Sequence, residues 1–187
     1  MENLIAYFQQ SGFTAAEARE VANFFKTKTF AKGEHFLEEG KTARHLAFIS
    51  RGLFQFYFLK DGDERTTYVV GENNFLASLS SFISQVPARE YVRALSDSEV
   101  WQIHFDDLQH LKNHNAKFQI FYIGVLEHLL ICIDDSRHKL IALTAEERYA
   151  ALMDEEPELL QQIPLQYLAS ILGVTPRHLS RIRNNIR

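Results

Sequence analysis

The sequence predicts an α+β protein in three parts: a strand-rich N-terminal half closed into a sandwich or barrel, one long helical stretch, and a terminal pair of short helices. Three observations carry this. Between residues 30 and 104, short runs rich in Phe, Tyr, Val and Ile are punctuated by Gly33, Gly40, Gly52, Gly62 and Gly71, a spacing that suits short strands joined by turns. Residues 106–142 carry apolar side chains at helical spacing. Residues 163–187 hold two short apolar-periodic stretches around Gly173 and Thr175-Pro176, with Arg177, Arg181, Arg183 and Arg187 and no acidic residue. Two domains are expected, 1–142 and 143–187.

Residues 1–29 read as helices. Thr14 can cap a helix and Glu17, three residues later, can close the box; Ala18, Val21, Ala22 and Phe25 then share a face. The pattern changes near Phe30. Segments 46–49, 53–59 and 66–70 read as strands, and Lys60-Asp61-Gly62-Asp63 as a tight hairpin, because Asp-Gly accepts the positive φ such turns need. Val100-Trp101-Gln102-Ile103-His104 reads as the last strand. The stretch 106–142 is one helix or two joined ones. Phe118, Phe121, Val125 and Leu129 form one seam, and Tyr122, Leu126, Leu129 and Ile133 an overlapping one. Such a broad apolar face can serve both the helix's own domain and a second copy of the chain, so these seven residues are the expected dimer interface. Thr144 and Glu147 repeat the capping box, and Pro157 ends that helix.

The totals bound the function. With 46% hydrophobic and 24% charged residues the composition is that of a globular protein, and 15 Phe and 7 Tyr supply filled cores. The net charge of −4 makes the whole chain no polycation, so any nucleic-acid surface is local. The single cysteine, Cys132, excludes an internal disulfide and a cysteine-ligated cluster. It lies among Leu129, Leu130, Ile131 and Ile133 and reads as a buried small hydrophobe. No basic lead or long apolar run opens the chain, and no stretch is expected to reach the ~18 apolar residues of a membrane span. A cytoplasmic protein with no membrane partner is expected.

The C-terminal segment reads as a helix-turn-helix. Leu165, Leu168, Ala169 and Leu172 lie on one face of its first helix, and Gly173 permits the left-handed turn that ends it. Thr175 caps the next helix and Pro176 occupies its first turn. There Leu179, Ile182 and Ile186 face inward, while Arg177, His178 and Arg181, with Asn184 and Asn185 further along, face outward. Arg177 and Arg181, with His178, are the candidates for base contacts, because a guanidinium matches guanine O6 and N7 with two hydrogen bonds. Thr175, Ser180 and Arg183 are candidates for contacts with the phosphate backbone.

The whole chain resembles the Crp/Fnr family of bacterial transcription regulators. Lys32-Gly33-Glu34, Gly40 and Phe48-Ile49-Ser50-Arg51-Gly52 look like the opening of that family's β-roll, and Asp61-Gly62 followed by Glu64 like its central hairpin. Phe75-Leu76-Ala77-Ser78 and Arg93-Ala94 with Glu99-Val100 look like the stretch around its effector pocket. Residues 106–142 match its dimerisation helix and 163–187 its helix-turn-helix. The resemblance implies an N-terminal double-stranded β-helix (a jelly-roll-like, cyclic-nucleotide-binding-like β-roll), a dimerisation helix and a winged-helix-like DNA-binding domain. It also implies double-stranded DNA, a second copy of the chain and RNA polymerase as partners. The given sequence stops at Arg187, so the wing is expected to be truncated or absent. Phe75, Leu76, Ala77, Ser78 and Arg89 are the effector-pocket candidates. Nucleotide-binding members carry Gly-Glu where Ala77-Ser78 stand, and an Arg followed by Ser or Thr where this chain has Ala88, or, one residue on, Arg89 followed by Glu90. A carboxylate there repels a cyclic phosphate. No cofactor is therefore expected, and a cyclic nucleotide is disfavoured.

Two other classes compete with a regulator. One is a sensor or interaction module of the same fold without DNA activity. The other is a cupin-like metalloenzyme, which wants a clustered His-x-His with a nearby carboxylate. His35, His45 and His104 are scattered. His110 and His114 are one turn apart but sit beside Lys112 and Asn113, as on a solvated face. No nucleophile elbow, P-loop or zinc-protease motif occurs, and Asp134 and Asp135 point apart on a helix. Neither catalysis nor a bound metal is expected.

Overall fold

The computed structural model describes residues 1–185; Ile186 and Arg187, placed by the sequence on the last helix, lie outside the described residues. Helices α1 (Glu2–Gln10) and α2 (Ala15–Ala22) come first. Thr14 Oγ1 accepts from the Glu17 N–H at 3.3 Å, and the Thr14 N–H donates to Glu17 Oε2 at 2.7 Å, so the expected box forms. The roll follows as β1 (Lys26–Phe30), β2 (His35–Leu37), β3 (His45–Arg51), β4 (Phe54–Lys60), β5 (Asp63–Val70), β6 (Phe75–Leu76), helix α3 (Leu79–Ser84), β7 (Tyr91–Ala94) and β8 (Ser98–His104). The first strand begins at Lys26, not near Phe30. Its Lys-Thr-Lys-Thr face is exposed, which hid it from an apolar reading.

Two antiparallel four-stranded sheets make the roll, in strand orders β1-β8-β3-β6 and β2-β7-β4-β5. Lys60 pairs with Asp63 across the β4–β5 turn, where Asp61 and Gly62 have φ of 54° and 86°. Those values are what a two-residue type I′ connection requires. The core between the sheets is built from Phe30, Phe48, Ile49, Phe54, Val92 and Val100, and α1 and α2 close it with Leu4, Phe8 and Val21.

The helical stretch is two helices, α4 (Phe105–His114) and α5 (Ala116–Ala142). Asn115 separates them, and its side chain caps α5 by accepting from the Phe118 N–H at 2.9 Å. Lys117 Nζ reaches Glu17 Oε2 at 2.6 Å and ties α5 to α2. Together with the cap bonds, this pair holds the Glu17 carboxyl at about 2, well below its ordinary range. Four helices follow: α6 (Ala145–Glu155), with the Thr144–Glu147 box formed, α7 (Pro157–Gln162), α8 (Leu165–Ile171) and α9 (Pro176–Asn185). Their apolar side chains make a second core from Tyr149, Ile163, Leu168, Ala169, Leu172, Leu179 and Ile182. The roll completes it with Leu53 and Val69.

Gly52, between β3 and β4, is required twice over. Its φ is +112°, and a Cβ there would fall on the Ser98 side chain. Gly52→Ala is expected to lose about 1–3 kcal/mol from the backbone alone, with the clash added. Equilibrium urea unfolding checks it, and a midpoint equal to the parent's would contradict the assignment.

Candidate functional site

Two regions bring functional side chains together. The first is the outward surface of α9. Leu172 ends α8, Gly173 takes φ 68°, and Thr175 Oγ1 accepts from the His178 N–H at 3.2 Å to start α9. Leu179 and Ile182 are buried, whereas Arg177 and Arg181 are exposed on the opposite side and Arg183 is exposed at the flank; Asn184 and Asn185 are exposed as well. Three of the expected contact residues are engaged within the chain. Thr175 caps its own helix, the Ser180 hydroxyl donates to the Pro176 carbonyl at 3.0 Å, and His178 Nε2 lies 3.3 Å from Glu146 Oε1.

The α8–α9 pair is docked on the roll. The Thr66 N–H of β5 donates to Ser170 Oγ of α8 at 2.8 Å, and that hydroxyl donates back to the Thr66 carbonyl at 3.2 Å. Behind Thr66 runs a polar chain. Gln55 Nε2 donates to Thr66 Oγ1 at 2.8 Å, Arg93 donates to Gln55 Oε1 at 2.9 Å, and Arg93 also pairs with Glu64 at 2.6 and 2.9 Å. The Arg93 guanidinium lies 4.6 Å from the Tyr57 ring centroid, and the Tyr57 hydroxyl meets His35 Nε2 at 2.9 Å. The Glu64 partner raises the Arg93 pKa further, so the cation persists despite partial burial. Arg148 adds a second tie. It donates to the Leu143 carbonyl beyond α5 at 2.6 Å and to the Leu172 carbonyl at the end of α8 at 2.7 Å, where a cation suits the helix dipole.

The second region is a cleft of about 680 Å³ between α5 and the roll. Of the expected pocket residues, Phe75 and Ala77 line it. Leu76 is sealed in the β3–β6 pairing, Ser78 is buried and donates to Glu90 Oε1 at 2.6 Å, and Arg89 is exposed and is not among the lining residues. Glu90 stands beside Ser78 instead of a phosphate-binding arginine. The expected pocket set is thus corrected at Leu76, Ser78 and Arg89.

The long helix corrects other expectations. Phe118 is buried in its own subunit and is not free to meet a partner, and Phe121 and Tyr122, half-buried, pack in part against the same core. Val125, Leu126, Leu129 and Ile133 line the cleft. The most exposed apolar side chains include Ile120, Leu130, Ile131 and Ile141, at 72%, 68%, 67% and 79%. The expected seams did not name them, although Ile123, Leu130 and Leu140 extend the Leu126–Ile133 seam at heptad spacing. Cys132 is exposed, with its Sγ 3.6 Å from His128 Nε2, rather than buried. By length and composition α5 could cross a membrane, against the expectation that no stretch reaches that size. Among the described residues no group of three metal-ligating side chains occurs. His110 and His114 stack on each other, with centroids 4.2 Å apart.

Residues 27–115 match the cyclic nucleotide-binding domain family. No curated protein sequence matches the chain. Among solved structures, the c-di-GMP-responsive global regulator CLP of Xanthomonas campestris aligns with a TM-score of 0.70 at 19% identity, over 92% of this chain and 91% of that one. FixK2 from Bradyrhizobium japonicum gives 0.70 at 17%, over 87% and 84%. A Crp/Fnr-family protein from Eubacterium rectale gives 0.70 at 16%, over 96% and 87%. At these identities the likeness is one of fold, and it extends beyond the roll into the C-terminal helices.

Ser170→Ala removes both bonds to Thr66 and is expected to weaken docking by about 0.5–1.5 kcal/mol. Amide hydrogen exchange reads it directly: Thr66 should lose protection while Ile49, bonded inside the roll, keeps its own. Equal protection at Thr66 in both proteins would remove the clamp from the account.

Proposed function

We propose that the chain is a sequence-specific DNA-binding transcription regulator of Crp/Fnr type, acting in the cytoplasm as a homodimer. The observation that carries this reading is α9. One face, Leu179 and Ile182, anchors it in the second core, while Arg177 and Arg181 are exposed on the opposite face and Arg183 is exposed at its flank, in a chain of net charge −4. Concentrated positive charge on one helical face of an acidic protein is the electrostatic footprint of a nucleic-acid reader. The fold likeness to regulators over most of the chain supports the same reading.

In this reading α8 and α9 form a helix-turn-helix, and α9 enters the major groove. Arg177 and Arg181 read base edges and Arg183 holds phosphate. With Thr175, His178 and Ser180 engaged inside the chain, their share of the DNA contact is smaller than the sequence suggested. Sequence selection from random duplexes is expected to return a palindrome with half-sites about one helical turn, ~34 Å, apart. Arg181→Ala is expected to cost about 1–3 kcal/mol of affinity and to relax specificity at one position per half-site. No enrichment at any salt concentration, with Arg181→Ala equal to the parent, would favour the sensor module without DNA activity.

Dimerisation follows from the uncovered face of α5. Ile123, Leu126, Leu130, Ile133 and Leu140 fall at heptad spacing, and four of the five are exposed by 47–68%. Leu130→Glu places a carboxylate in the middle of that seam at a position 68% exposed in the single chain. It is expected to cost about 2 kcal/mol or more of dimer stability, read as a shift toward monomer in sedimentation equilibrium with unchanged circular dichroism. A variant that remains as dimeric as the parent would exclude this seam.

A further inference from the structure

The cleft between α5 and the roll supplies chemistry that bears on what occupies it. Its volume, about 680 Å³, lies within the ~300–1,000 Å³ usual for small-molecule sites. Its walls are aromatic and aliphatic: Phe56, Phe75 and Phe121 on one side, Val125, Leu129 and Ile133 of α5 on the other. Ala77 contributes only a methyl group, which keeps the space open. Besides the hydroxyls of Thr67, Ser80, Ser136, Tyr68 and Tyr122, its polar lining is acidic. Glu90, Asp135, Glu155 and Glu156 line the cleft, and among the described residues Lys139 is the only cationic side chain that does. That ammonium is already committed, to Glu155 at 2.6 and 2.8 Å and to Asp135 at 2.9 Å. Glu90 is occupied with the Ser78 hydroxyl. Glu156, though exposed, accepts no such bond among the described residues; partial desolvation by its neighbours, then Glu155 beside it, pushes its carboxyl above the ordinary range.

An anion entering this cleft would lose its hydration, meet carboxylates, and find no free cation to replace the water. That argues against phosphates and against fatty-acid carboxylates alike. We infer that the cleft takes a lipophilic cation, an apolar aromatic or aliphatic body whose positive end lies at the Glu156 edge. The assignment rests on the regulator reading above and specifies the effector class of the same protein. A molecule wedged there would press on Val125 and Leu129 of α5 and on Tyr68 of β5, two residues from the Thr66 clamp that holds α8.

The test uses the full chain and two ions of nearly equal shape and opposite charge. The neutral dye N-phenyl-1-naphthylamine, which fluoresces in apolar sites, is first bound to the cleft. Tetraphenylphosphonium is then expected to displace it at about tenfold or more lower concentration than tetraphenylborate, while cAMP and c-di-GMP leave it in place. Val125→Trp, which fills the cleft from a half-buried helix position, should abolish dye binding with circular dichroism unchanged. Glu156→Gln, at an exposed position, should keep the dye but bring the two ions' potencies together. The assignment is overturned if the dye fails to bind, if Val125→Trp binds it as the parent does, if tetraphenylborate or a cyclic nucleotide displaces it as well as tetraphenylphosphonium, or if Glu156→Gln leaves the charge preference intact. DNA binding of the same preparations is read separately. Loss of the cation preference with palindrome binding intact overturns the ligand class alone, whereas loss of palindrome binding overturns the regulator reading.

Discussion

The constraint on which the molecule turns is that α5 carries more apolar surface than its own roll covers. Its 27 residues present isoleucine and leucine on almost every side. The roll buries only the first turns, through Phe118, Phe121 and Tyr122. Beyond Gly124 the helix stands off from the sheets, which opens the cleft on one side and leaves Leu130 and Ile131 in solvent on another. Apolar area of this extent is not retained without something to cover it, because each exposed leucine forgoes about 1.5–3 kcal/mol of burial. In the proposals above, a small molecule on the cleft side and a second helix on the seam side would satisfy different parts of the same excess. The two occupants share Leu126 and Ile133, so filling one side bears on the packing of the other.

Local signals were the most legible part of the sequence. Thr14 with Glu17, Thr144 with Glu147, Asp61-Gly62, and Gly173 followed by Thr175-Pro176 all form the structures expected of them, because each depends on atoms within four residues. Strands β2, β6 and β7 were missed. They are two to four residues long, too short to display an alternation. The long-range contacts were invisible for a different reason. Thr66 and Ser170 are 104 residues apart, and nothing in either neighbourhood announces the other. The reading of α5 failed in an instructive way. Where apolar residues occupy every side of a helix, periodicity no longer tells the inward face from the outward one. Phe118 was therefore assigned to a partner, and Cys132 to a core it does not enter.

Glu90 illustrates how a departure from a resemblance becomes chemistry. From sequence it was a carboxylate where a phosphate should sit. In the fold it accepts the Ser78 hydroxyl, so the two groups satisfy each other and no unpaired donor is left over for an anion. The cation at the other end of the cleft, Lys139, is likewise consumed by Asp135 and Glu155, which raise its pKa and hold it charged. The fold of a nucleotide-binding domain is thus kept without a free cation to hold a phosphate, and recognition there falls to apolar contact and to the carboxylates that remain.

The docking of α8 bears on how a signal in the roll could reach α9. The clamp uses the N-terminal half of β5 and one hydroxyl, and the second core uses Leu53 and Val69 from the same sheet. Arg148 joins the end of α5 to the end of α8 through carbonyls alone. All these ties engage α8 or the inward side of the pair, and none uses Arg177, Arg181 or Arg183. The surface assigned to DNA is therefore free in the docked arrangement, and regulation need not act by covering it. In the proposed dimer the two α9 helices must be separated by one turn of the double helix. The angle at which α5 leaves the roll and the position at which Ser170 grips β5 together set that separation. Control by spacing rather than by occlusion is the arrangement these contacts support.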